Sequence, residues 1–133
     1  MLVLLKLGAI TGRKEFTGAA EKSLVLFANR LQQIPQAVPY MLQALDFSLQ
    51  ESKRAVIASE PGSAQTRELL HAIHSVYQPN KVVQGTSGAV ESFFKTLPAK
   101  DGAMVYMCTG TSCRKPTAEA FKLREMLQRP ETA

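Results

Sequence analysis

A chain of 133 residues, 45% hydrophobic and 20% charged, holds enough material for one core and not for two. That balance excludes a disordered tail, a collagen-like repeat and a disulfide-stapled miniprotein. The net charge of +5 is spread along the chain, with five basic and three acidic groups in residues 1–50 and eleven and eight beyond them, so no basic stripe offers a track for a nucleic-acid backbone.

Two cysteines, Cys108 and Cys113, are too few for a structural framework, which makes a reducing cytoplasm the default compartment. The apolar start Met1-Leu2-Val3-Leu4-Leu5 is broken by Lys6. It falls far short of the ~20 residues of a membrane span. It has no basic stretch before it and no small-residue cleavage site after it, so it is not read as an export signal. The expectation is the last two turns of a helix that begins upstream. Neither a membrane nor a nucleic acid is an expected partner.

The first fifty residues have helical grammar. Gly12 can end the first helix, because a glycine past the C-terminus accepts a left-handed backbone. Phe16, Ala20, Leu24, Phe27 and Leu31 then recur by 4, 4, 3 and 4, which puts them on one face of a helix from Lys14 to Gln33. Pro35 stops it, since the residue before a proline avoids helical geometry. Pro39 can start a third helix, where a missing N–H costs nothing. Its expected inner face carries Met41, Leu42, Leu45 and Leu49, widened by Tyr40, Ala44 and Phe47.

After Ser52 the pattern changes. The run from Arg54 to Ala58 is short and continuously apolar past its first residue, as for a strand covered on both faces. Glu60-Pro61-Gly62 turns the chain, and Ser63 can cap a helix to about Gln78 with Leu69, Leu70, Ile73, Val76 and Tyr77 inward. A weaker strand spans residues 81–84, and Gly85-Thr86-Ser87-Gly88 leads into a helix bearing Val90, Phe93, Phe94 and Leu97. A turn from Pro98 to Gly102 precedes the third strand, residues 103–108. Thr117 can cap a last helix with Phe121, Leu123 and Leu127 inside. Its Lys122, Arg124 and Arg129 alternate with Glu119 and Glu125 as on a solvated face. The expected class is α/β: a small three-stranded parallel sheet with crossover helices, preceded by a helical hairpin segment, with the division near residue 50. Strand order 2-1-3 or 3-2-1 suits right-handed crossovers.

Several landmarks occur in a specific order: the 41–47 segment Met-Leu-Gln-Ala-Leu-Asp-Phe, Thr66-Arg67-Glu68-Leu69-Leu70, Pro79-Asn80-Lys81-Val82-Val83, Leu97-Pro98-Ala99-Lys100-Asp101-Gly102, Val105-Tyr106-Met107-Cys108, Cys113 and Pro116-Thr117. Together they resemble the C-terminal end of the thioredoxin-domain-containing YyaL / spermatogenesis-associated protein 20 family. The resemblance implies a thioredoxin-like domain and an (α/α) six-hairpin barrel upstream. Residues 1–50 would then be the last hairpins of that barrel and residues 51–133 a terminal α/β unit. Two departures fall at C-terminal strand ends: Ser59-Glu60-Pro61 stands where the family tends to show Gly-Asp-Pro, and Thr109-Gly110 where it commonly has an Arg-Asn-like pair.

Cys108 and Cys113 are the leading candidates for chemistry. Four intervening residues, Gly110 among them, permit a disulfide, and Arg114 and Lys115 would favour a thiolate at Cys113. A buried structural thiol beside an incidental loop thiol, a reversible disulfide and metal ligation all remain open. His71 and His74 share a helix face and could join the cysteines at zinc, though their order does not match finger spacing. Gly85, Thr86, Ser87 and Gly88 could set backbone N–H groups around an anion at a helix start, or simply turn the chain. No cofactor motif occurs, and the chain itself is not expected to be catalytic. The leading expectation is a structural or interaction module, with a redox or ligand-binding unit at Cys108 and Cys113 as the alternative. Partners would be upstream family domains and a second copy, because Leu2, Leu4, Leu5, Phe16, Phe27, Met41 and Phe47 cannot all turn onto one small sheet.

Overall fold

The computed structural model describes residues 1–99 and 102–128. Lys100, Asp101 and Arg129, on which the sequence reading also drew, lie outside these. Helix α1 (Leu2–Thr11) ends at Gly12, whose φ of 70° is the left-handed cap expected of it. Helix α2 (Lys14–Leu26) stops earlier than its apolar period predicts. The chain leaves helical geometry at Phe27 and resumes in the short α3 (Ala28–Gln33). A single 3-10 turn at Pro35–Ala37 leads to α4 (Pro39–Leu49), with Pro39 at its first turn.

Strand β1 (Lys53–Ala58) follows, then α5 (Ala64–His74), whose N-cap Ser63 accepts from the Thr66 N–H. After β2 (Lys81–Gly85) come the four-residue helix α6 (Ser92–Lys95), β3 (Met104–Thr109), β4 (Ser112–Cys113) and α7 (Ala120–Gln128). The sheet order is β2-β1-β3-β4. The first two strands are parallel, as expected, and β1 lies between β2 and β3.

The all-parallel, three-stranded expectation is corrected in two respects. β3 runs antiparallel to β1, with Ala58 level with Met104, and a fourth strand pairs with β3. A parallel β3 would need a connection that returns along the whole sheet. The connection after β2 does reach back as far as Arg54, through Glu91, but it turns about at the four-residue α6 and β3 starts beside Ala58, at the end where β2 stopped. The last helix also begins later than expected, at Ala120. Thr117 is drawn into a bridge with Val105, its N–H and C=O bonded to that residue at 3.0 and 2.9 Å.

Alternation along β1 and β3 sorts two cores. One face carries Ala55, Ile57, Val105 and Met107 beneath Leu69 and Ile73 of α5 and Leu123 and Leu127 of α7. The other carries Val56, Ala58, Tyr106 and Cys108 under Phe94. On this second face Val82 joins Leu5, Ala20, Leu24, Ala44 and Phe47, so α1, α2 and α4 pack against the start of β2. Asp46 of α4 ties that junction down by accepting from Asn80 Nδ2 at 2.9 Å.

Several expected inward residues face water instead. Tyr77 is 90% exposed, because α5 ends at His74, and Phe121 and Phe93 are exposed too. On α4 the buried pair is Ala44 and Phe47, while Leu42 and Leu49 are exposed. Of the seven apolar residues expected to seek a partner, Leu5 and Phe47 are buried and Phe27 is exposed. Leu2, Leu4, Phe16 and Met41 are half-buried.

Candidate functional site

The hairpin β3–β4 holds the two cysteines. Gly110, at φ 56°, supplies the left-handed residue that a tight hairpin turn requires. The turn places Cys108 directly across from Cys113, with Cα atoms 4.0 Å apart, and the two form a disulfide. Cys108 is buried against Phe94 and Tyr106, whereas Cys113 is half-buried at the sheet edge. Arg114 and Lys115, expected to influence Cys113, are both exposed. Arg114 N–H continues the hairpin ladder to the Met107 C=O at 2.9 Å.

Arg54 is the residue of this site that the sequence reading missed. It is the second residue of β1 and stands opposite Cys108 in the antiparallel ladder. Its Nη2 donates to the Gly110 C=O, its guanidinium lies 4.9 Å from the Phe94 ring centre, and Nη1 is 3.4 Å from Glu91 Oε2. Planarity lets one guanidinium serve all three neighbours, which an ammonium could not do. Glu91 in turn donates its N–H to Ile10 C=O at 3.0 Å, which links the hairpin to the end of α1. Only knowledge of the antiparallel pairing could have exposed Arg54, since in sequence it reads as the first residue of a strand.

The other candidates lie apart. His71 and His74 are exposed on α5, which covers the sheet face opposite the cysteines. Gly85, Thr86, Ser87 and Gly88 do not open a helix. Gly85 closes β2 and α6 starts only at Ser92, with Glu91 before it making no side-chain cap. Gly85, Thr86 and Ser87 line a cleft of ≈ 280 Å³ with Ser59 and Pro61, at the C-terminal ends of β1 and β2. No group of three or more potential metal ligands occurs among the described residues, and none of the helices there is long and apolar enough to cross a membrane.

Fold and site together define a mixed α/β module with a disulfide-bridged edge hairpin clamped by an arginine. Its sequence is 33% identical over 132 residues to spermatogenesis-associated protein 20 of rat, mouse and human, covering 93% of this chain. The chain is thus similar to one stretch of these relatives and spans 17% of their length. No family model and no solved structure matches it.

Proposed function

We propose that this chain is the non-catalytic C-terminal module of a longer thioredoxin-domain, six-hairpin-type protein, and that its helical half is a docking face. One observation carries the reading. Nine of the twelve large apolar side chains exposed among the described residues belong to residues 1–50, with Val25 and Leu26 76% and 77% exposed. Each such side chain left in water forgoes about 1.5–3 kcal/mol. A soluble monomer rarely leaves so many on one part of its surface. In a longer chain the upstream hairpins would cover them. In the isolated chain a second copy would, most simply as a twofold dimer.

Amine cross-linking of the isolated chain tests this. Links between copies should concentrate on Lys14 and Lys22 of α2. Links concentrated instead on Lys95 and Lys122 would place the contact on the sheet half and defeat the reading.

The bond between Cys108 and Cys113 favours a second role on the same module, a reversible thiol–disulfide clip. In a cytoplasmic setting its exchange partner would be a low-molecular-weight thiol such as glutathione. An incoming thiolate attacks Cys113 Sγ, the more accessible sulfur, forming a mixed disulfide and releasing the Cys108 thiolate. A second thiol then resolves the mixed disulfide, so two thiols are oxidised for each protein disulfide reduced. Equilibration in glutathione buffers, followed by alkylation and mass measurement, tests it. A bond that stays fully oxidised at every cytoplasmic glutathione ratio would make the clip purely structural.

A further inference from the structure

β2 is the outer strand of the sheet, and among the described residues no strand pairs with its free side. The ladder fixes which peptide groups face that side. Lys53 is level with Lys81, and its N–H donates to Asn80 C=O at 3.2 Å. In a parallel pair a residue bonds the neighbours of the residue it is level with. Asn80, Val82 and Gln84 therefore turn their peptide groups towards β1, and Val83 and Gly85 turn theirs outward.

A groove runs along this edge. One wall is α5, which presents Thr66, Leu70 and His74 at successive steps of four, and the other is α1 with Lys6 and Ile10. Two clefts, of ≈ 280 and ≈ 420 Å³, share Val83 and so meet along the strand. The first is lined by neutral residues, Ser59, Thr66 and Ser87 among them. The second is lined by Lys6, His74 and Lys81 and by no carboxylate among its described residues.

Proteins often guard a free edge with a lysine that projects from it. Lys81 does not serve that purpose, because its Nζ turns back to the Ile73 and Val76 carbonyls at 2.5 and 2.6 Å. The basic end thus brings Lys6, His74 and Lys81 together with no carboxylate among the described lining residues, and the pKa of Lys81 is lowered by burial and then by the charge of Lys6.

We infer that the free edge of β2 binds an extended peptide segment by strand addition, with an acidic residue of that segment held in the basic end at Lys6, His74 and Lys81. Main-chain bonds to Val83 and Gly85 would supply the affinity, and an apolar side chain against Leu70 and Val83 with an acid at one end would supply the selectivity. This surface lies away from the Cys108–Cys113 hairpin, on the opposite edge of the sheet.

The test uses the 133-residue chain and labelled octapeptides of alternating valine and threonine, ending in two aspartates or two lysines at either terminus, read by fluorescence anisotropy. One aspartate peptide should bind saturably and at least tenfold more tightly than both lysine peptides. Methylating its alternate amide nitrogens should abolish binding, Lys6→Glu should weaken it about tenfold, and Val83→Pro should remove it. Lys6→Glu changes a half-exposed flank, so it remains decisive if Val83→Pro disturbs the fold. The inference is overturned if no peptide saturates below about 1 mM, if acidic and basic peptides bind alike, or if N-methylation or Lys6→Glu leaves binding unchanged.

Discussion

Arg54 stands directly across the β1–β3 pair from Cys108 and donates to the carbonyl of Gly110, the residue that turns the chain back towards Cys113. One guanidinium thus fixes the hairpin and places a positive charge beside the buried member of the cysteine pair. Arg54→Met removes the bond to Gly110 and the contact over Phe94, and should lower the stability of the oxidised chain by roughly 1–3 kcal/mol. Denaturant melts measure it, and an unmoved midpoint would show that Arg54 does not clamp the hairpin. Arg54→Lys should keep the charge but lose the planar fork, and so recover only part of the loss.

The disulfide closes a very short loop, so its removal costs little chain entropy. Replacing Cys108 and Cys113 together by serine should lower stability by about 2 kcal/mol or less and leave a single cooperative thermal transition. Loss of that transition would show that the hairpin needs its bond in order to fold.

Gly110 is the opposite case, a small residue whose replacement is expensive for its size. Its φ is 56°, and a Cβ built there would lie 3.2 Å from Glu51 Oε2. Gly110→Val should therefore cost about 1–3 kcal/mol and slow reformation of the disulfide. Denaturant melts of the oxidised chain give the first number. Gly62→Ala, at φ 85° with open space around it, separates backbone strain from crowding.

Lys81 should titrate below its ordinary value of 10.5, first because it is partly buried and second because Lys6 is near. The unfolded chain then holds this proton more tightly than the folded one. Lys81 therefore adds a small increment of stability as pH rises from its lowered pKa to 10.5. Side-chain carbon NMR follows the titration directly. Lys6→Glu should move the Lys81 midpoint upward, and an unchanged midpoint would remove Lys6 from the account.

Much of the backbone was legible because its signals are local. The cap at Gly12, the stop at Pro35, the start at Pro39 and the cap at Ser63 each act within a turn or two of chain, and each is found where its residue type requires. The direction of β3 was not legible. It depends on where the connection after β2 turns about, which apolar spacing does not report. That one error hid Arg54, since only antiparallel pairing sets it opposite Cys108. The exposed sides of α4 and α5 were misread for a related reason. Helical period identifies a stripe, but which edge of a wide stripe is buried depends on what packs against it, as Leu42 and Leu49 show, and it does not say where a helix ends, as Tyr77 beyond His74 shows.

The central claim is that residues 1–50 form a docking face. Sedimentation velocity of the oxidised 133-residue chain across micromolar concentrations tests it most directly, with Val25→Glu and Leu26→Glu combined as the control. The account predicts a mass near twice 14.6 kDa for the unaltered chain and a monomer for the variant, with little change in melting temperature. An unaltered chain that sediments as a monomer throughout would contradict it.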